Sequence, residues 1–319
     1  MTRRRRLFKR GALLVLVAVL LAVPLTAGAV WTNAFGAGDR FDRLLHKIDL
    51  IIDPPPDRPT VATVQVTPRP TATMAPTPPA SETPTSEPGA AALPSPPPSP
   101  TASPEPVRRR VDVRLAASPK QDFISQQRKD WCAVAGTQIA LAILGLVDNE
   151  ERTQRRIADR IGEWESRRDS KNGGWGPGAI AQALKAYGAT GYELRAYARR
   201  ADALHDAARA LSATGKPVIL IAWRGAHTWV MTGYRADADP LVFDDATVTG
   251  TYIYDPWYPR VSSIWGPSDK PGVFQDAAEM RRNYLVWRRP EGRYPDRDGL
   301  YLAVVPTNRK GGVSLVSTP

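Results

Sequence analysis

The chain contains one cysteine, Cys132, and three histidines, His46, His205 and His227. A thiol attacks carbonyl carbon well only as thiolate, and in acyl transfer it needs a base within reach. Cys132 stands where an apolar, small-residue run begins, so it falls at the N-terminal end of a buried helix. Unpaired N–H groups and the positive end of the helix dipole favour a thiolate there. The plainer alternative for a lone cysteine is an apolar filler of the core. His227 opens an apolar strand just after Gly225-Ala226, where small residues leave room for a substrate. A satisfied structural histidine is its alternative. His205 lies in the polar helical segment Ala-Asp-Ala-Leu-His-Asp and is expected to face solvent, and His46 precedes the folded region. A carboxylate should fix the imidazole tautomer. Asp255 follows the strand-like Thr-Tyr-Ile-Tyr and precedes Pro256, while its rivals Asp244 and Asp245 belong to a polar loop. Gln126, six residues before the cysteine, has an amide that can join the Cys132 N–H in an oxyanion hole. Cys132, His227, Asp255 and Gln126 are therefore the candidate catalytic residues. A single cysteine excludes an intramolecular disulfide and a thiolate-rich metal site. The chemistry calls for no metal and no cofactor.

These residues need elements to hold them. Trp131–Val147 is predicted to be a buried helix. Glu150–Trp164 carries charges on one side and Ile157, Ile161 and Trp164 on the other, which predicts an amphipathic helix. The turn Gly173–Gly178 leads into a third helix at Ala179–Tyr187, and Ala201–Leu211 forms a fourth. The period then changes. Pro217–Trp223, His227–Tyr234, Thr251–Tyr254 and Leu300–Val305 read as strands. Helices first and strands afterwards predict an α+β domain rather than alternating βαβ units. Trp131, Trp175, Trp229 and Trp257 are read as core or cleft wall.

The region ahead of the domain is not globular in composition. Residues 1–10 form a basic tail that includes Arg3-Arg-Arg-Arg6, and 11–31 form an apolar run. A basic flank followed by an apolar stretch is an export signature, read either as a transmembrane anchor or as a signal peptide cut after Ala27-Gly28-Ala29. Residues 32–53 place Phe41, Leu44, Leu45 and Ile48 on one helical face. Between Pro54 and Pro106 lie 18 of the 31 prolines, so 54–115 reads as a Pro/Thr/Ser-rich disordered linker. This leaves 116–306 for the folded domain and 307–319 for a C-terminal tail. The expected partners are the membrane, through the N-terminal segment, and a substrate outside the cytoplasm. Nucleic acid is not expected. Of the net charge of +11, residues 1–115 carry +6, and the domain holds no zinc-finger spacing or aromatic ribonucleoprotein motif.

Three motifs together carry a resemblance. Gln126 with Asp130-Trp131-Cys132, the strand His227-Thr-Trp-Val-Met-Thr-Gly-Tyr234, and Tyr254-Asp255-Pro256 resemble the peptidase C-39-like domain, a papain-like group related to peptidases that remove double-glycine leader peptides. The segment GGWGPGAIAQALKAYG is similar to that family's glycine-then-helix stretch. The resemblance spans roughly Ser118 to Pro306. It implies a papain-like fold, with N-terminal helices packed on an antiparallel sheet, and a Cys-His-Asp hydrolase acting on a peptide or protein. Two features depart from the pattern. Ala133-Val134 stand where Gly-Pro often follows the cysteine, and the span from His227 to Asp255 implies an inserted loop around Asp237–Val248. A cell-wall peptidoglycan hydrolase and an inactive papain-like binding module are the alternatives.

Overall fold

A computed structural model describes residues 61–68, 106–164, 175–288 and 294–318. The basic tail, the expected membrane or signal segment, the amphipathic stretch with His46 and most of the linker lie outside the described residues. Among the described residues, no helix is long and apolar enough to cross a membrane.

Eleven strands and seven helices follow one another in a mixed order among the described residues. Strand β1 is Thr63–Val66, β2 is Val111–Leu115 and α1 is the short Pro119–Asp122. Then come α2 (Cys132–Ile143), α3 (Glu151–Asp159), α4 (Ile161–Trp164) and α5 (Pro177–Ala186). Strand β3 (Tyr192–Tyr197) precedes α6 (Arg200–Thr214), β4 (Val218–Ala222), β5 (His227–Ala236) and β6 (Val248–Tyr254). A hairpin of β7 (Val261–Ser262) and β8 (Gly266–Pro267), then β9 (Val273–Asp276), α7 (Ala277–Asn283), β10 (Tyr301–Pro306) and β11 (Leu315–Thr318) complete the chain.

The strands build one nine-stranded sheet, and only the β1–β3 pair is parallel among its described ladders. Its hub is β5. The first half of β5, His227–Met231, pairs with β4, and its second half, Gly233–Ala236, pairs with β2. Strand β6 runs antiparallel to Val230–Ala236. The end of β6 therefore returns beside the start of β5, which brings two distant chain segments to one place.

The expected succession of helices followed by strands is incomplete. Strand β3 lies between α5 and α6, and β2 precedes every long helix. The boundaries drawn at 116 and 306 also cut the sheet short. Strands β1 and β2 come from the stretch read as linker, and β11 comes from the stretch read as tail. Each is four or five residues long, so each relies on its ladder rather than on a periodic signal of its own. The single helix expected over Glu150–Trp164 is two, broken at Arg160.

Helix α2 is buried from Ala133 to Ile143, as its apolar run requires. It stops short of Val147 because Gly145 takes φ +68 and the Leu146 N–H reaches back to the Leu141 carbonyl, a left-handed cap. The helix lies directly on β5. A Cβ added at Gly136 would stand 2.7 Å from the Thr228 methyl carbon, so glycine is what permits this approach. Gly136 is one turn from Cys132, and Thr228 adjoins His227. The approach therefore sets the distance between the two candidate residues. Gly136→Val is expected to cost about 1–3 kcal/mol through overpacking. Urea unfolding checks this, and an unchanged midpoint would contradict the close approach.

Candidate active site

Cys132 is the first residue of α2. No side chain caps that helix, so the first-turn N–H groups stay available at the thiol end. The thiol is partly exposed, and its Sγ lies 3.8 Å from the Ala226 carbonyl oxygen. His227 is the first residue of β5 and is only 3% exposed. Its Nε2 meets Asp255 Oδ1 at 2.6 Å, a charge-assisted bond between two buried side chains. Nδ1 is then the ring nitrogen that Asp255 leaves free, and the neighbouring Cys132 thiol acts on the charge of the ring.

Asp255 follows the last residue of β6 and is 5% exposed, so its strand-end place does not leave it peripheral. The same Oδ1 accepts the Trp257 N–H at 2.8 Å. The structure thus brings Cys132, His227 and Asp255 into one neighbourhood.

Burial alone would drive the His227 proton off. The opposing attraction of Asp255, its hydrogen bond and the neighbouring Cys132 win, and His227 is raised from 6.5 to about 9. The imidazole is therefore cationic at neutral pH.

Aromatic rings enclose the pair. Trp223 stacks on the His227 ring, with centroids 3.9 Å apart and planes inclined by 19°. Trp257 stands edge-on to the same ring at 6.4 Å. Nothing in the sequence singled out Trp223. Its approach to His227 depends on a turn whose backbone angles have no sequence signature. Trp229, read as core or cleft wall, is buried, while Trp131, Trp175 and Trp257 are partly buried.

Gln126 is 1% exposed and lies in the turn before Cys132. Its amide nitrogen donates to the Arg128 carbonyl at 2.7 Å and the Lys129 carbonyl at 3.0 Å. Both amide hydrogens are thus committed to the turn, which differs from the oxyanion role expected of them. Here Gln126 braces the loop that delivers Cys132 to the helix start.

The rival carboxylates point elsewhere. Asp244 pairs with Arg209, and Asp245 pairs with Arg108, both on the surface. They belong to the loop 237–247, which the long His227–Asp255 span required and which joins β5 to β6. His205 is buried rather than solvent-facing, because this loop covers it. Its Nε2 lies 3.3 Å from the Phe243 carbonyl oxygen. Among the described residues, no group of three or more His, Cys, Asp and Glu is arranged to hold a metal ion.

A family model described as "Peptidase_C39 like family" matches residues 120–284. No curated protein matches the chain. Among solved structures, the chain is similar to the crystal structure of a double glycine motif protease from an AMS/PCAT transporter in complex with the leader peptide. That similarity has 18% identity, covers 61% of this chain and 99% of the other, and has a TM-score of 0.33.

Two outcomes follow from the geometry. Gln126→Glu keeps the shape but removes both donors, so it should lower stability by about 2 kcal/mol or more. A variant with unchanged thermal stability and reduced turnover would return Gln126 to the oxyanion role. The second outcome concerns pH. The folded-state value for His227, about 9, lies above its ordinary 6.5, so folding favours the protonated ring. That contribution is complete below about pH 6.5 and fades as pH rises through about 9. The stability difference between wild type and Asp255→Asn should therefore be larger at pH 6 than at pH 10. Urea titrations at both values read it, and a difference independent of pH would contradict the pairing.

Proposed function

This chain belongs to the Peptidase_C39 like family, and on that footing we propose that it is a thiol peptidase acting through Cys132, His227 and Asp255. The observation that carries the reading is the buried His227–Asp255 bond beside the only thiol in the chain. Its architecture is read as papain-like, with α2 presenting the nucleophile to a sheet that presents the base.

The steps are those of acyl transfer. Cys132 Sγ attacks the peptide carbonyl carbon, a C–S bond forms, and the carbonyl electrons move to oxygen. The Cys132 backbone N–H faces that oxyanion. His227 gives its Nδ1 proton to the leaving amine as the C–N bond breaks. It then takes a proton from water, whose oxygen attacks the thioester and releases the thiol sulfur. Asp255 holds Nε2–H throughout, so the ring neither flips nor changes tautomer. Gln126 serves by holding the loop ahead of Cys132.

The site is proposed to work outside the cytoplasm. The basic tail, the apolar run at 11–31 and the Pro/Thr/Ser-rich stretch support an exported domain held on a tether. A peptide or protein is the proposed substrate. An inactive binding module is the alternative, and it would need no partly exposed thiol beside the buried pair.

The full chain should cleave an unfolded protein such as casein, and Cys132→Ser should abolish cleavage with no change in thermal stability. Cleavage of purified peptidoglycan but not casein would favour the wall hydrolase. Asp255→Ala should lower turnover at least tenfold, a conservative figure for removal of an orienting carboxylate, which costs about ten-thousandfold in serine triads. Asp244→Ala and Asp245→Ala should stay near wild type. Loss of activity in either of these with retention in Asp255→Ala would overturn the assignment of the third member.

A further inference from the structure

The turn between β4 and β5 has an unusual backbone. Trp223 takes φ 51 and Arg224 takes φ 59, both in the left-handed region, before Gly225 at φ +88. Residues with a Cβ seldom adopt that conformation, and a bulky aromatic does so only where its surroundings enforce it. Three contacts enforce it here. The indole face lies on the His227 ring at 3.9 Å. The other aromatic neighbour in the stack is Trp265 of the β7–β8 hairpin, 5.8 Å away between centroids with planes 5° apart. The indole N–H donates at 3.0 Å to Oδ1 of Asn283, the buried last residue of α7, whose amide nitrogen binds the Glu279 carbonyl and carboxylate.

From this we infer that Trp223 is a positioning residue for His227. Its indole face holds the imidazolium in the one plane that meets Cys132 and Asp255 together, and Trp265 and Asn283 hold the indole. The inference rests on the reading of His227 as the acid–base group of a thiol peptidase.

The physics has two parts. A cation against the face of tryptophan is attracted by the ring quadrupole, most strongly where water is excluded. A ring pressed flat against another also loses rotation about its Cβ–Cγ bond, so Nδ1 and Nε2 keep their separate partners. The titratable groups facing His227 are Asp255 from the end of β6 and Cys132 from the start of α2. Arg260, on the segment after β6, stands over the Trp257 ring rather than over the imidazole. Asp269, Glu279 and Arg282 line a cavity of about 350 Å³ that Trp223, Trp265 and Asp255 also border and His227 does not. The charge at His227 is thus governed by its two partners and by the indole face.

The test is the titration of the His227 ring in the full chain, followed by its ¹⁵N resonances from pH 6 to 10, which needs no turnover. Trp223→Leu should lower the midpoint by about one pH unit, the size a desolvated cation–aromatic contact supports. It should also lower casein hydrolysis at least tenfold. Trp223→Phe keeps an aromatic face and should stay within about a third of a unit of wild type. Asn283→Ala touches neither the ring nor the thiol and should shift the midpoint in the same direction as Trp223→Leu, by less. An unchanged midpoint in folded Trp223→Leu, or equal shifts in the Phe and Leu variants, would overturn the inference. If Trp223→Leu fails to fold, an unchanged midpoint in Asn283→Ala overturns it instead. A wild type that shows the expected titrations but cleaves no peptide would sink the peptidase reading and leave the positioning role standing.

Discussion

The imidazole of His227 and the carboxylate of Asp255 meet at 2.6 Å in a place where neither is more than 5% exposed. Burial makes each depend on the other. A lone imidazolium there would lose its proton, and a lone carboxylate would carry an uncompensated charge out of water. Together they favour a cation at neutral pH, and Nδ1 is the ring nitrogen that Asp255 leaves free. The rest of the site is arranged around keeping that pair dry and aligned. Trp223 covers one ring face and Trp257 stands at its edge. The Trp257 backbone N–H fills a second acceptor site on Asp255.

Holding two residues 28 positions apart in such contact requires the sheet to solve a register problem. The β5–β6 antiparallel ladder solves it by bringing the last residue of β6 back beside the first half of β5. The 237–247 loop, at the far end of that hairpin, can then be long without cost to the site. Its acidic residues go to surface arginines. The third member arrives on a different layer. Helix α2 reaches the sheet at Gly136, and the missing side chain there lets Cys132 come down to the level of Ala226 and His227. A helix start, a strand start and a strand end thus converge from three segments, each rigid where it matters.

Much of this was legible in the sequence, for physical reasons. A small-residue apolar run reports a buried helix, and its first residue is a position with free N–H groups. The switch to short runs rich in β-branched and aromatic residues located His227 and Asp255 at strand ends. What escaped depended on tertiary context. Thr63–Val66, Val111–Leu115 and Leu315–Thr318 are too short to carry a periodic signal and sit in surroundings that look like linker or tail. Tyr192–Tyr197 alternates with Glu193 and Arg195, whose pairing with each other and with Asp206 hides its place inside the sheet. His205 looked exposed because its helix is polar in composition, yet Ala203, Ala207 and Ala208 around it are fully buried. Gln126 was read from its spacing alone, which did not reveal that both its donors are spent on Arg128 and Lys129. Trp223 offered no signal at all, since its left-handed backbone runs against what its side chain prefers.

The buried pair matters to catalysis only if it makes the thiol reactive. Because Cys132 is the only cysteine, alkylation of the intact chain by iodoacetamide reports on it alone. The measurement is the second-order alkylation rate at pH 6, set beside that of glutathione and of the Asp255→Asn variant. Wild type should react at least about tenfold faster than glutathione, because an imidazolium stabilises the attacking thiolate. The variant should lose most of that advantage. A wild-type rate no faster than glutathione, or one that Asp255→Asn leaves unchanged, would contradict that role of the pair.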